Sequence, residues 1–424
     1  MLDIRFLREN SSAAKIRLAT RGAGYAELVE HALEVDAHRR SVETQLQALQ
    51  AEKNRLSREV GRLRAAGQNS CTLEAQVKAT SEKLDSLQKS SESLANEQRE
   101  LLLSIPNLPD ASVPTGKSSA DNPLVRMWGE KPTISQPQDH LEIGTRLKLF
   151  DAERAAKISG SGFMVFTGEG AKLERALINF LLDLHVREHA YREVSPPLLV
   201  RRDCMVGTSQ LPKFESDMYG LDDGALFLIP TAEVPITNLH RDEILPESSL
   251  PLRYVAFTPC FRREAGSTGR ENRGLIRMHQ FDKVELVKIC RPEDSEAELE
   301  SLTRDAEMVL ERLGLHYRRV LLCTGDMGFG SAKTYDLEVW APGQAVYLEV
   351  SSCSNFKDFQ ARRMNLRYKD ADGKNRFCHT LNGSGTALAR LYVAILENGL
   401  QEDGSVQLPE ALEPFFGSGV IKPS

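Results

Sequence analysis

The sequence predicts an α+β protein in two parts, an N-terminal antiparallel coiled-coil hairpin and a larger mixed α+β body. Three observations carry this. Hydrophobic residues step by threes and fours from Val35 to Ile105, with one polar break between. A proline-rich stretch, 106–137, follows. Beyond it, amphipathic helices interleave with segments whose polar and apolar residues alternate, the signature of strands.

Composition bounds the class. A chain of 424 residues is long enough for two or three domains and a large buried core. Hydrophobic residues are 41% and charged residues 27%, which excludes global disorder. The net charge is −6, so a nucleic-acid partner needs a local basic patch rather than a basic body. Asp3, Arg5, Arg8, Glu9, Lys15 and Arg17 interrupt the first turns, so no secretory signal is expected. No apolar run is long enough for a membrane span. The seven cysteines are scattered without a C-x-x-C pair, which suits free thiols in a reducing cytoplasm and gives no support to a zinc site.

Met1 to about Ala26 reads as a small cap with a helix start near Asn10-Ser11-Ser12. Val35, Val42, Leu46, Leu49, Leu56, Val60 and Leu63 then form a heptad seam, with Arg39 and Lys53 in two interrupted seats. The helix breaks at Ala65–Ser70, and the steps resume at Leu73, Val77, Thr80, Leu84, Leu87, Ser91, Leu94, Gln98, Leu101 and Ile105. Two arms of this length make a rod on the order of 50 Å long. Near its tip Lys53, Arg55, Arg58, Arg62 and Arg64 face a single acid, Glu59. Two readings fit these charges: a solvated coiled-coil surface, or a contact with RNA phosphates. The hairpin could equally be a dimerisation module.

Residues 1–105 are thus an arm, 106–137 a linker and 138–424 the main body. Gly116-Lys117-Ser118 is not a P-loop, because alanine stands at 111 and no strand precedes it. In the body, Asp151–Ala156 and Leu173–Glu188 are helical by period, the second with Leu173, Leu177, Phe180, Leu181, Leu184 and Val186 on its apolar face. Tyr191–Val200 reads as a strand carrying Pro196-Pro197, which confines it to an edge or an interface. Phe227–Glu233 is a short strand ending in Thr231 and Glu233. Ser295–Leu313 is an amphipathic helix, and Tyr335–Trp340 with Ala345–Ser352 forms a hairpin.

The densest chemistry lies in Phe257–Leu286, read as strand, Gly-rich loop, strand. From Leu275 onward one face carries Arg277, His279, Phe281, Lys283 and Glu285, and the other Ile276, Met278, Gln280, Asp282 and Val284. Cations, an aromatic ring and a carboxylate on one face suit ATP, and a solvated hairpin would show the same pattern. Glu349 and the serines at 351 and 352 are hard oxygen donors of the kind Mg²⁺ takes beside a triphosphate, or simply a polar strand end. Gly383-Ser384-Gly385 precedes a helix, Leu391–Glu397, and lets a backbone approach a ligand closely; leucine at 388 rules out a dinucleotide-binding fingerprint.

Together these segments resemble bacterial-type seryl-tRNA synthetases, which are class II aminoacyl-tRNA synthetases. The resemblance runs from end to end. Pro196-Pro197 after a long helix looks like motif 1, Phe261-Arg262-Arg263-Glu264 with His279–Glu285 looks like motif 2, and Gly383–Arg390 looks like motif 3. Thr231-Ala232-Glu233, Glu349-Val350-Ser351-Ser352 and Asn382-Gly383-Ser384 are specific to the seryl enzymes.

The resemblance implies a catalytic domain with an antiparallel sheet flanked by helices, in a cytoplasmic homodimer. It implies L-serine, ATP and Mg²⁺ at the site. It also implies an arm that grips the long variable arm of tRNA(Ser), and selenocysteine tRNA as a further substrate. Arg262 is then expected on the α-phosphate, Glu264 toward the adenine, Phe281 stacked on it and Arg390 at the γ-phosphate end. Arg262 and Arg390 are the catalytic pair. Arg263, Met278, Val350 and Ser351 complete the ATP set, and Glu349 and Ser352 are the Mg²⁺ ligands. Glu285 is expected to read the serine hydroxyl, Glu233 the ammonium, and Thr231, Ala232 and Ser384 to line the serine site. His279 is expected to hydrogen-bond within the hairpin. The loop with Arg270 and Arg273 is expected to close over ATP or meet the tRNA acceptor end.

Overall fold

In the computed structural model, which describes residues 1–264 and 274–423, the heptad pattern becomes two paired helices. The chain divides into two units, Met1–Pro106 and Asn107–Ser424. The first holds α1 (Ile4–Glu9), α2 (Ser11–Ala19), α3 (Tyr25–Ala65) and α4 (Cys71–Ser104). Helix α2 starts where Asn10-Ser11 suggested, but α1 precedes it, capped by Asp3 accepting from the Arg5 N–H at 2.7 Å. At 41 and 34 residues, α3 and α4 run about 60 and 50 Å.

The seam holds as read. Val35, Val42, Leu56, Thr80, Leu84, Leu94 and Gln98 are buried, and Arg39 and Lys53 are half-buried in their seats. One charge sits inside it. Asp36 is 1% exposed and accepts from Arg8 (3.0 Å), Arg40 (2.9 Å) and Gln98 (3.1 Å). Burial pushes its carboxyl up, and the three donors more than offset this, so it lies below the usual carboxylate range.

The second unit is built on an eight-stranded sheet. Its strands are β1 (Leu124–Trp128), β2 (Arg192–Glu193), β3 (Leu252–Phe261), β4 (Gln280–Cys290), β5 (Tyr317–Leu321), β6 (Lys333–Ala341), β7 (Val346–Lys357) and β8 (His379–Ala387). Their order is β1-β5-β6-β7-β8-β4-β3-β2, antiparallel except where β2 runs parallel to β3. Among the described residues nine helices accompany it: α5 (His140–Arg146), α6 (Ala152–Ser159), α7 (Glu169–Arg187), α8 (Arg202–Gly207), α9 (Glu233–Thr237), α10 (Ser295–Arg312), α11 (Phe359–Met364), α12 (Leu388–Gly399) and α13 (Glu413–Phe416). Leucines of α7, α10 and α12 join Val284, Leu286, Leu337 and Val339 of the sheet in one core. Val186, expected on the apolar face of α7, is exposed instead at 38%, one residue from the helix end.

Four sequence expectations change. The segment read as a linker contributes β1 to the sheet edge; its residues are mostly exposed, so they show no alternation, and its pairing partner lies far away at Tyr317–Val320. The strand expected over Tyr191–Val200 is split into β2 and a second short strand, Leu199–Arg201, which pairs with Leu226–Leu228 in another sheet, because Pro196 and Pro197 have no N–H to give a ladder. Strand β4 begins at Gln280 rather than Leu275. The preceding stretch is tied elsewhere, with the Leu275 N–H on His140 Nε2 (3.3 Å) and the His279 N–H on Gly162 O (2.9 Å).

The fourth concerns the glycines. Gly383 and Gly385 lie inside β8, between β4 and β7, not in a ligand-facing segment ahead of the helix. A Cβ at Gly383 would stand 2.4 Å from Leu302 Cδ2, and one at Gly385 2.9 Å from His185 Nε2. The glycines admit α10 and α7 to the sheet rather than a substrate. At Gly385 the register of β4 and β8 also shifts, so Ser384 faces Glu285 while Thr386 faces Val284.

Candidate active site

A cavity of about 470 Å³ opens over the face of β4 that carries Phe281, Lys283 and Glu285. The pleat sends these alternate side chains one way and Asp282 and Val284 the other. Asn382 and Ser384 of β8, then Glu349, Val350 and Ser352 of β7, continue the floor. Arg262 and Glu264 at the end of β3, Arg277 and Met278 ahead of β4, and Arg390 in the first turn of α12 form one end. Thr231 and Glu233, at the start of α9, form the other with Thr208–Gln210.

Three expected residues do not line it. Ala232 is buried with Ile236, Tyr254, Ala256 and Val287. Arg263 is exposed, its N–H on Asp217 O at 2.9 Å. Ser351 is buried under the floor, where its Oγ donates to Ser384 O at 2.6 Å and so fixes that residue from below.

The Glu233 end is a closed polar cluster. Lys283 Nζ forms an ion pair with Glu285 and donates to Thr231 Oγ1 at 2.8 Å. Asn382 Nδ2 donates to Glu285 Oε1 at 3.2 Å. Thr231 Oγ1 accepts from the Glu233 N–H at 3.1 Å, and Gln360 Nε2 donates to Glu233 Oε1 at 2.7 Å. Glu233, Lys283 and Glu285 are 5%, 7% and 1% exposed, so the site holds two carboxylates and one ammonium away from water. Burial and then the nearby Glu285 push the Glu233 carboxyl up to about 7, against the pull of Gln360, Lys283 and Arg262. Two carboxylates against one ammonium give the cluster a net negative charge that suits a cationic group. The alternation placed Lys283 on this face without giving it a task, and no local pattern marked Gln360.

The opposite end is cationic and aromatic. The Arg262 guanidinium stands 5.2 Å from the Phe281 ring centroid. Its backbone is fixed by exchange with His279: Arg262 N–H to His279 O at 2.9 Å, and His279 Nδ1 against Arg262 O at 3.1 Å. His279 thus hydrogen-bonds within the hairpin, as expected. Glu264 pairs with Arg277 at 2.9 Å. Arg390 donates to Glu349 O (2.7 Å) and approaches Glu349 Oε2 (3.4 Å). Planar arginine forks at two points of one cleft suit the oxygens of an extended polyphosphate.

Between the ends lies an oxygen-rich group the sequence showed only in part. Asp336 of β6 stands opposite Ser352 of β7, beside Glu349. Its Oδ1 is buried without a hydrogen-bond partner. Burial, then Glu349, holds its carboxyl well above the usual range. An orphaned carboxylate oxygen beside Glu349 and Ser352 fits a hard cation. No cluster of three or more His, Cys, Asp or Glu among the described residues could hold a metal unaided.

The other face of β4 borders a smaller cavity of about 310 Å³ lined by Glu174 and Asp282. Burial raises Glu174 to about 7, with Asp282 adding to it, and raises Asp282 to about 6. In the arm, Arg55, Arg58, Arg62 and Arg64 are exposed and Lys53 half-buried. Glu59 is shared by Arg55 (3.8 Å) and Arg62 (3.9 Å), while Arg64 pairs with Glu74 at 2.9 Å. Arg270 and Arg273, and the loop function assigned to them, lie outside the described residues.

Comparison with known proteins follows this geometry. Residues 1–109 match the family model of the seryl-tRNA synthetase N-terminal domain, and residues 214–399 that of the class II tRNA synthetase core domain (G, H, P, S and T). The serine–tRNA ligase of Akkermansia muciniphila is 57% identical over 423 residues, covering 100% of this chain and 99% of its own. That of Methylacidiphilum infernorum is 53% identical over 417 residues, covering 98% and 99%. Among solved structures, seryl-tRNA synthetase from Pyrococcus horikoshii complexed with ATP superimposes with a TM-score of 0.95 at 38% identity, covering 100% of both chains.

Proposed function

The chain belongs to the seryl-tRNA synthetase family of ATP-dependent ligases that join serine to tRNA, and from that premise we propose how its residues divide the work. The observation that carries the assignment is the enclosed Thr231–Lys283–Glu285–Glu233 cluster at one end of the cavity, with Arg262 and Arg390 at the other.

Serine takes the enclosed end. Glu285 accepts its side-chain hydroxyl, held ready by Asn382 and Lys283. Glu233 receives its ammonium. Thr231 and Ser384 line the site, and Ala232 supports it from the core. A hydroxyl-reading carboxylate left unpaired by alanine discriminates by roughly 10⁴–10⁵-fold.

ATP takes the arginine end. Phe281 stacks on the adenine, Met278 and Val350 flank it, and Glu264 faces its edge. Arg262 holds the α-phosphate and Arg390 the far end of the triphosphate. Arg263 and Ser351 act from outside the cavity wall. Glu349 and Ser352 would hold Mg²⁺, which when bound neutralises phosphate charge.

The serine carboxylate attacks the α-phosphorus, giving seryl-adenylate and releasing pyrophosphate. The chain's contribution is alignment and charge: Arg262 stabilises the charge growing on the α-phosphate oxygens, and Arg390 orients the leaving group. A terminal tRNA hydroxyl then attacks the adenylate carbonyl and releases AMP.

The basic tip, Lys53 to Arg64, fits phosphate contacts to the long variable arm of tRNA(Ser), and by the same feature to selenocysteine tRNA. A homodimer is supported by two exposed apolar side chains, Leu199 just beyond the double proline and Val186 near the end of α7, and a cytoplasmic location is proposed from the family likeness alone. No described helix is long and apolar enough to cross a membrane. The test is serine-dependent ATP–pyrophosphate exchange, followed by charging of tRNA with and without its long variable arm. Exchange followed by arm-dependent charging is expected; equal charging of both tRNAs would contradict the arm's role, and exchange with no charging of either would contradict tRNA as the acceptor.

A further inference from the structure

We infer that Gln360 is a positioning residue for serine: its amide, clamped by Thr380, aims a hydrogen bond at Glu233 and holds that carboxylate in the orientation that receives the substrate ammonium. The inference rests on the assignment of Glu233 to that ammonium.

Helix α11 is a single short element, six residues long, and Gln360 on it is 1% exposed. Gln360 is not among the residues lining the cavity, so it acts through another group. Its Nε2 donates to Glu233 Oε1 at 2.7 Å. Its Oε1 accepts from Thr380 Oγ1, also at 2.7 Å, and Thr380 on β8 is itself 1% exposed.

The second bond decides the first. An amide has a donor end and an acceptor end. With the Thr380 hydroxyl donating to one end, the NH₂ end must face Glu233. Turned over, the amide would set its carbonyl oxygen against a buried carboxylate.

The same helix fixes the adjoining wall. One turn on, Arg363 donates to Val206 O and Leu211 O, each at 3.2 Å. Those carbonyls bracket Thr208–Gln210, which lines the cavity beside Glu233.

Charge makes the donor matter. Around Glu233 stand Glu285 and Lys283 on β4, Arg262 at the end of β3 and Gln360 on α11. Burial and Glu285 favour its protonated form, and Gln360 is the first of the groups opposing them. A protonated Glu233 cannot pair with an ammonium. Without the Gln360 donor, ionisation moves to higher pH and serine binding weakens at neutral pH.

The test uses the full-length enzyme, with serine-dependent pyrophosphate exchange measured from about pH 6 to about pH 8.5. Gln360→Met, close in shape, should raise the KM for serine about 10- to 100-fold at neutral pH. That increase should shrink as pH rises, and the KM for ATP should stay within about twofold. Thr380→Val, which frees the amide to turn, should shift serine KM in the same sense by less, and it serves alone if Gln360→Met does not fold. An unchanged serine KM in the variant that folds overturns the inference. So does a pH-independent rise shared by serine and ATP. Glu233→Gln separates the two layers. If it raises serine KM and the Gln360 and Thr380 variants do not, the positioning role fails alone. If Glu233→Gln also leaves serine KM unchanged, the ammonium assignment fails.

Discussion

Replacing Glu285 by alanine removes the charged acceptor proposed for the serine hydroxyl. Glu285 is 1% exposed and touches Lys283 and Asn382, so two losses follow. The hydroxyl forfeits a charge-assisted hydrogen bond, about 1.5–3 kcal/mol. Lys283, 7% exposed, keeps only the Thr231 hydroxyl and turns an uncompensated cation on the incoming ammonium. Removing one partner of a buried pair costs about 3–5 kcal/mol. The second cost falls on the stability of the fold, and the first is the one that serine activation reads. It corresponds to a fall of about 10- to 100-fold in kcat/KM for serine. The assay is pyrophosphate exchange against serine at saturating ATP, then against ATP at saturating serine. The KM for ATP should hold within about twofold, because Glu285 is bonded to Lys283 and Asn382 and to neither Arg262 nor Arg390. Adding Lys283→Met to Glu285→Ala separates the terms: it relieves the stranded charge and should recover thermal stability but not serine activation. Unchanged exchange in Glu285→Ala would sink the hydroxyl role. Full recovery of activity in the double variant would reassign the effect to charge alone.

Three further outcomes are expected. Glu174 and Asp282 bind protons more tightly in the folded chain than unfolded, since both stand above the ordinary carboxylate range, at about 7 and about 6. Their contribution is full below the ordinary carboxylate range and is lost as pH rises from there through about 6 to 7, so Glu174→Gln should raise the Tm relative to the parent at pH 8 and leave it nearly unchanged at about pH 4. In the arm, Arg58→Ala with Arg62→Ala should raise the KM for tRNA and flatten its salt dependence, with pyrophosphate exchange unaffected; an unaltered salt slope would return those charges to a solvated surface. Glu349→Gln should raise the Mg²⁺ concentration needed for half-maximal exchange by about 10-fold or more, read beside direct Mn²⁺ titration by electron paramagnetic resonance.

How much of this was visible in the chain follows from the range of each interaction. The seam was legible because a helix repeats its face every few residues, and Val35 through Leu63 obeyed that rule locally. The ligand face of β4 was legible for the same reason at a period of two. What failed depended on partners far away. Strand β1 is defined by Tyr317–Val320, not by its own pattern. Gly383 and Gly385 look like ligand-facing glycines in sequence, and only α10 and α7 packed behind them reveal otherwise. Asp336 sits in an ordinary alternating strand, and its significance arises from Ser352 across the ladder. Gln360 is more than a hundred residues from the carboxylate it serves.

Asp36 gives the coiled coil a fixed zero. A seam of leucines alone tolerates sliding by one heptad, a displacement of about 10 Å. Here such a slip would carry Gln98 away from a buried anion and leave it with fewer donors. The arm therefore behaves as a graduated ruler rather than a telescoping one. The span from Asp36 to the arginines at 55–64 is set at roughly 30–40 Å by the helix rise. An RNA feature that touches those arginines is measured for its reach as well as its charge. Deleting one matched heptad from each arm between Asp36 and the tip would keep the seam intact and move the graduation, and under the proposed tRNA contact a shorter variable arm should then become the better substrate, as read by the KM for tRNA.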